Sequence, residues 1–273
     1  MEHQPLISVV IPVWNGAKHI ESCLRTVMSQ SAADMEIIVV DDGSTDDTWA
    51  IISRLAAEDG RIRVIRQENA GVSEARNTAL RQCRGRYVRF VDADDALPEG
   101  SMEMLVSSME EQGSDIVFAA YTEVLAGIRS VRNLNGQAET IDRDAFMRRL
   151  ERLSNSFYYG VLWNKLFRGD VIRDQALRFD PALSWGEDFC FVMDYLAHCQ
   201  TYTYITEPVY DYIRNPQGAV IRQFFYCFRH PILSMKDRCK VYSAYRRLYQ
   251  CCGLYDQYKR VLWHYLFRFT LRS

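Results

Sequence analysis

Apolar positions in the first hundred residues follow two alternating rhythms. Residues 6–13, LISVVIPV, form a nearly continuous β-rich apolar run. Residues 17–30, AKHIESCLRTVMSQ, then place Ile20, Leu24, Val27 and Met28 on one helical face. Residues 36–41, EIIVVD, read as a second strand, and 46–59 as a helix carried by Ile51, Ile52 and Leu55. Residues 62–67 predict a third strand, 72–83 a helix through Val72, Ala75, Ala79 and Leu80, and 86–92 a fourth strand. Apolar strands linked by amphipathic helices point to a mostly parallel sheet covered on both faces.

With right-handed crossovers this is a Rossmann-like layered α/β half. After Asp92 the rhythm changes. Residues 101–113 predict a helix, 115–121 a strand, 122–136 a hairpin or meander, and 143–153 a helix. Residues 187–199 place Phe189, Val192, Met193 and Leu196 on one helical face, and 201–213 read as a strand. The second half is therefore expected to be mixed α+β. Residues 240–252 and 255–270 predict two tail helices with broad apolar stripes. No low-complexity linker separates the halves. The expected division is one domain over residues 1–225, with halves 1–100 and 101–225, and a helical tail over 226–273.

Composition changes this picture little, but charge distribution changes it more. The 273 residues, 48% hydrophobic and 25% charged, suit an ordinary globular chain. The net charge is −2, yet residues 226–273 hold ten Lys/Arg against two Asp/Glu. An acidic body thus carries a basic, aromatic tail. The eight cysteines form no C-x-x-C pair, which argues against a structural zinc site. Reduced core cysteines fit a cytoplasmic setting. The first residues lack the pattern of a signal peptide, and no run reaches the length of a membrane span.

The candidate chemistry sits at the predicted strand ends. Asp41 and Asp42 close the second strand, and Asp92, Asp94 and Asp95 close the fourth. Ligands of open parallel sheets bind outside the carboxyl ends of the strands. Residues two apart in extended chain share a side, so Asp92 and Asp94 can converge on one point. Such a pair either raises a carboxyl pKa or recruits a cation. Mg²⁺ or Mn²⁺ bridging to a diphosphate would relieve the repulsion. The competing reading is a solvated turn that caps a helix near Ser101. The first loop, PVWNGA, has neither the glycine pattern of a dinucleotide site nor that of a P-loop, which disfavours both.

Four segments in order, VVIPVWN, EIIVVDDGSTDDT, NAGVSEARNTAL and RFVDADD, resemble family 2 glycosyltransferases of the GT-A fold. The likeness is dense over residues 6–110 and looser through LWNKLFR and WGEDFCF to about Arg214. It implies an inverting enzyme with a nucleotide-sugar donor, usually a UDP-sugar, and a divalent metal, Mn²⁺ or Mg²⁺. It places Pro12, Val13 and Asn15 around the nucleoside, Asp41 on the base with Asp42 beside it, and Gly71 and Arg76 along the base and diphosphate. Asp94 is the implied direct metal ligand, with Asp92 nearer the ribose and the metal. Asp95 is open between a third ligand, a helix cap and an orienting acid.

Transfer to a hydroxyl requires a base. Asp188, in the E-D pair of WGEDFCF, matches the family position, with Glu187 as its orienting neighbour. The alternative is an acid that caps its helix. Trp185 is either a sugar platform or core. Lys165 could shape the acceptor side or meet a phosphate, and Arg214 is a weaker candidate. The NPQGAV that follows Arg214 departs from the family's usual serine-containing run, which puts a phosphate-closing loop in doubt.

The expected acceptor is a cell-surface glycan or lipid-linked saccharide, with no nucleic-acid partner. A D-x-D-G phosphatase, a receiver domain and a sugar nucleotidyltransferase each fail on spacing, length or first loop. A catalytically silent nucleotide-sugar-binding scaffold is the remaining alternative. The tail stripe is expected to pack on the body or on a second subunit. The competing role is peripheral contact with the inner face of a membrane.

Overall fold

The computed structural model of the chain describes residues 4–31, 34–134, 136–152, 157–183, 185–214 and 231–262. Strand and helix alternate through the first half: β1 Ile7–Val13, α1 Ile20–Met28, β2 Met35–Asp41, α2 Thr48–Glu58, β3 Ile62–Arg66, α3 Val72–Leu80 and β4 Tyr87–Phe90. These strands pair in parallel in the order β3-β2-β1-β4. The order reverses beside β1, so a crevice opens at the carboxyl ends of β1 and β4, where open α/β sheets take ligands.

The second half continues the same sheet. It contains α4 Ser101–Gln112, β5 Ile116–Leu125, β6 Ile128–Arg132, β7 Glu139–Asp142, α5 Arg143–Arg152, α6 Phe157–Gly160, β8 Lys165–Arg168, α7 Gly169–Asp174, α8 Glu187–Leu196 and β9 Thr201–Ile213. The order runs on as β4-β8-β5-β9-β7, with β6 paired to β5. β8 lies antiparallel between β4 and β5 and joins the two halves. Its sequence, KLFR, is too short and too charged to show a strand period, and neither it nor β7 is apparent from the pattern. The hairpin expected over 122–136 is present: the outer part of β5 turns at Ala126 and Gly127 into the antiparallel β6.

Alternation along the strands sends neighbours to opposite faces. Val10, Ile38, Val40, Phe90 and Phe118 pack with α3, α5 and α8 on one side. Val9, Ile11, Ile37 and Val39 pack with α1, α2 and α4 on the other. The result is a three-layer α/β/α arrangement.

The tail supplies α9 Pro231–Cys251 and α10 Tyr255–Leu262. Val241, Ala244, Tyr245 and Leu248 are buried and join the core layer that contains α8. This apolar stripe of the tail therefore packs on the body of the protein. Residues 263–270, expected to extend the last helix, lie outside the described residues. Among the described residues, no helix is long and apolar enough to cross a membrane.

Candidate active site

A cavity of about 610 Å³ opens at the carboxyl ends of β1 and β2. Pro12, Val13, Trp14, Asp42, Gly43, Thr45, Asn69, Gly71, Val72 and Ala75 line it. Hydrogen bonds between loops shape its walls. Asn15, at a left-handed φ of 50°, donates its amide to Ser44 Oγ at 2.9 Å and accepts from Thr45 N at 2.8 Å. Asparagine tolerates that conformation better than most residues. Gly43 has φ +72°, and a Cβ there would lie 2.8 Å from Asn69 N, so the two loops touch through backbone.

The two acids after β2 have separate tasks. Asp42 lines the cavity and holds the loop after β3: its Oδ1 accepts from Gln67 Nε2 at 2.7 Å and Ala70 N at 2.9 Å, and its Oδ2 from Gly71 N at 2.8 Å. Asp41 is fully buried. Its Oδ1 accepts from Ser44 N at 3.0 Å, and its Oδ2 lies 3.2 Å from Arg66 Nε. Asp42 thus forms the cavity wall and Asp41 sits behind it.

Arg76, on α3, is the centre of the charged cluster. Its side chain is 5% exposed. Nη1 donates to Asp188 Oδ1 at 2.7 Å and to Glu187 Oε1 at 3.4 Å, and Nη2 to Asp92 Oδ1 at 3.2 Å. The guanidinium also stands over the Phe179 ring, 5.3 Å from its centre. Burial opposes its charge, but the three carboxylates outweigh burial and hold its pKa above the ordinary arginine value. A plain surface arginine is thereby excluded.

Asp188 opens α8 and faces this cluster. Burial pushes its carboxyl up against the pull of Arg76, and Glu187 and Asp92 add to the rise, which reaches about 8. A carboxyl so placed changes protonation near neutral pH, as a general base requires. Glu187 meets the same guanidinium at 3.4 Å. Trp185 is half-buried and packs against the core layer.

The three acids after β4 diverge. Asp92 is partly exposed and faces Arg76, and Asp94 is exposed. Asp95 is buried. Tyr210 Oη donates to its Oδ2 and Ile213 N to its Oδ1, both at 2.7 Å, while Tyr210 Oη accepts from Asp92 N at 3.0 Å. Burial, with Asp92 and Asp94 nearby, raises its pKa well above the ordinary range. Asp95 is thus an internal brace between the end of β4 and β9, and the readings of it as a ligand or helix cap are corrected.

Lys165 is also corrected. It is fully buried, and its ammonium donates to Tyr158 O, Val161 O and Asn164 Oδ1. Three donors are matched by three acceptors, which fixes the segment before β8 and keeps the cation from an acceptor or a phosphate. Arg214 pairs with Glu123 at 2.9 Å at the surface. The NPQGAV segment lies outside the described residues.

Among the described residues, no group of three or more His, Cys, Asp or Glu side chains is arranged to hold a metal ion. Asp92 and Asp94 supply oxygen donors only. This suits a hard divalent cation that completes its shell with phosphate and water.

Sequence reasoning missed Trp14, Gly43, Thr45, Asn69, Val72 and Ala75 as cavity walls, although most lie inside the quoted motifs. It also missed the contacts of Tyr210, although this residue opens the Tyr-rich run YDYIR.

A profile of Glycosyl transferase family 2 matches residues 8–174. The Bacillus subtilis glycosyltransferase EpsJ is 30% identical over 215 residues, covering 78% of this chain and 62% of that protein. The poly(ribitol-phosphate) β-N-acetylglucosaminyltransferase TarP of Staphylococcus aureus is 24% identical over 217 residues, covering 77% of this chain and 63% of that protein. The chain spans less than two thirds of the length of either relative. S. aureus TarS 1–349, solved with UDP-GlcNAc, superposes with a TM-score of 0.70 at 19% identity, covering 92% of this chain and 73% of that one. The mannosyltransferase PcManGT of Pyrobaculum calidifontis, solved with GDP-Man and Mn²⁺, gives a TM-score of 0.56 at 17% identity, covering 94% and 76%. The likeness to these structures shows the fold, which is GT-A. With the family profile covering more than half of its length, the chain belongs to glycosyltransferase family 2.

Proposed function

We propose that the protein is an inverting glycosyltransferase that moves a sugar from a UDP-sugar to a hydroxyl of a cell-surface glycan or lipid-linked saccharide. The observation that carries this reading is the buried guanidinium of Arg76. It joins Asp188 and Glu187 on one side to Asp92 on the other, on the same helix whose first residues wall the cavity.

The nucleoside lies in the cavity, among Pro12, Val13, Asp42 and Asn69. Asp41 acts through the loop it holds, because no part of it is exposed. Gly71 opens the cavity wall where the backbone can approach the ligand closely. Asp92 and Asp94 would hold a divalent cation, which supplies charge neutralisation for the diphosphate. Arg76 adds a fixed positive charge beside that position and orients Asp188. Asp188 takes the proton of the attacking hydroxyl as the oxygen reaches the anomeric carbon from the face opposite the leaving diphosphate. One base and one displacement suffice, and the anomeric centre inverts.

The relatives are consistent with this donor class, since a structural neighbour was solved with UDP-GlcNAc and a curated relative is named for β-N-acetylglucosaminyl transfer. The test is calorimetric titration with UDP and with GDP, each with and without Mn²⁺. Release of UDP from a panel of UDP-sugars is then measured, with water or glycans as acceptor. Tighter binding of UDP than GDP, strengthened by Mn²⁺, and turnover of at least one UDP-sugar are expected. Absence of UDP binding overturns the donor, and binding without any turnover favours a silent scaffold.

A further inference from the structure

We propose that α9 clamps the turn that presents the catalytic base, with Val241 as a positioning residue for Glu187 and Asp188. The inference rests on the reading of Asp188 as base. Gly186, the residue before α8, has φ +80°, and a Cβ there would lie 2.7 Å from Val241 Cγ2. The side chain of Val241, 1% exposed, is thus seated directly on the backbone that precedes Glu187 and Asp188.

Two ion pairs set the register of the clamp. Lys240 Nζ lies 2.6 Å from Asp180 Oδ2, in the turn leading into α8. Arg247 grips Asp194, further along α8, through Nε at 3.0 Å and Nη2 at 2.8 and 2.9 Å. Exposed pairs of this kind add little stability, but they tie α9 to the segment before α8 and to α8 itself. On another side of the same turn, a Cβ on Gly160 would meet the Phe189 ring at 2.2 Å, so α6 also presses on the start of α8. The first turn of α8 is held between α6 and α9, and its two acids are directed at Arg76. A base must be placed to within a fraction of an ångström, so the packing that fixes this turn controls the chemical step.

Val241→Ala, Gly186→Ala and the double variant test the clamp. The probe is UDP-GlcNAc hydrolysis with Mn²⁺, together with hydrogen exchange of residues 185–191, which needs no turnover. Melting temperatures check folding. Gly186→Ala brings a methyl group into Val241 and strains the left-handed backbone. It should lower kcat about tenfold or more, leave the donor KM within about twofold, and speed exchange across the turn. Removing the Val241 methyl groups relieves the collision. The double variant should therefore regain several-fold in kcat and slow the exchange again. Val241→Ala alone should lower kcat several-fold and speed the exchange; wild-type kcat and exchange in that variant overturn the clamp, as does a loss confined to KM. Asp188→Asn separates the two readings. If it turns over near the wild-type rate, the base assignment fails. If it is inactive while Val241→Ala keeps wild-type kcat and exchange, the clamp alone fails.

Discussion

Arg76 Nη1 donates to Asp188 Oδ1 at 2.7 Å across 112 positions of sequence. This contact joins α3, in the first half of the fold, to the start of α8 and organises the candidate site. The same guanidinium reaches Asp92 at 3.2 Å, so the acid expected near the metal and the acid expected to act as base share one counter-charge.

Loss of the base should be selective. Asp188→Asn keeps the size and polarity of the side chain but removes the proton acceptor. Transfer should fall about 10²–10⁴-fold, the usual contribution of general-base catalysis. UDP affinity should stay close to wild type. Turnover and calorimetric binding, measured on the same preparation, check this, and transfer near the wild-type rate would remove Asp188 as base.

The rate should rise with pH through the titration of Asp188, near pH 8 in the free protein. Only the deprotonated carboxylate accepts a proton, so kcat/KM falls on the acid side. Stability moves the opposite way. A carboxyl whose folded pKa lies above its ordinary 3.8 binds more protons in the native state. Its contribution is complete below the unfolded pKa and is lost as pH rises from about 4 to about 8. Urea melts of wild type and Asp188→Asn across that window should diverge with this sign. Parallel pH profiles would contradict it.

Asp94 and Asp95 are adjacent in sequence but should respond differently. Asp94→Ala should weaken Mn²⁺-dependent UDP binding. Asp95→Asn should keep that binding, because Asp95 is enclosed by Tyr210 and Ile213 and its pKa is already raised. Tyr210→Phe should cost about 1–3 kcal/mol in stability, since it removes the hydroxyl that donates to Asp95 Oδ2 and accepts from the Asp92 amide. Equal loss of UDP·Mn²⁺ affinity in Asp94→Ala and Asp95→Asn would contradict the separation.

Replacing Arg76 should damage both folding and catalysis. Arg76→Met leaves three carboxylates facing one another and should destabilise the protein by about 3–5 kcal/mol, as breaking a buried ion pair does. Arg76→Lys restores charge but not the planar fork that reaches Asp188 and Asp92 together. It should recover stability in part and turnover less. Chemical melts with activity assays test the order wild type, lysine, methionine.

Much of this was legible along the chain. The periodicity of residues 6–92 predicts the parallel half, because buried strands and amphipathic helices leave local apolar patterns. The acids after β2 and β4 can be placed at the ligand edge because strand ends of a parallel sheet share one rim. Asp92, Asp94, Arg76 and Asp188 stand out as motif residues of a resembling family. β8 was hidden because four residues with a lysine and an arginine carry no strand period. The order of Asp41 and Asp42 at the cavity was also hidden, because adjacent acids look alike until the loops close around them.

The sequence by itself therefore determined the layered fold, the rim and the chemical character of the acids, all of which follow from local spacing. The tertiary structure decided which acid meets which partner. Burial turned Asp95 into a brace and enclosed Lys165 among three acceptors. Packing across long separations brought Asp188 to Arg76 and Val241 to Gly186. Such contacts depend on how the layers pack in space, and that geometry is not encoded in the spacing of neighbouring residues.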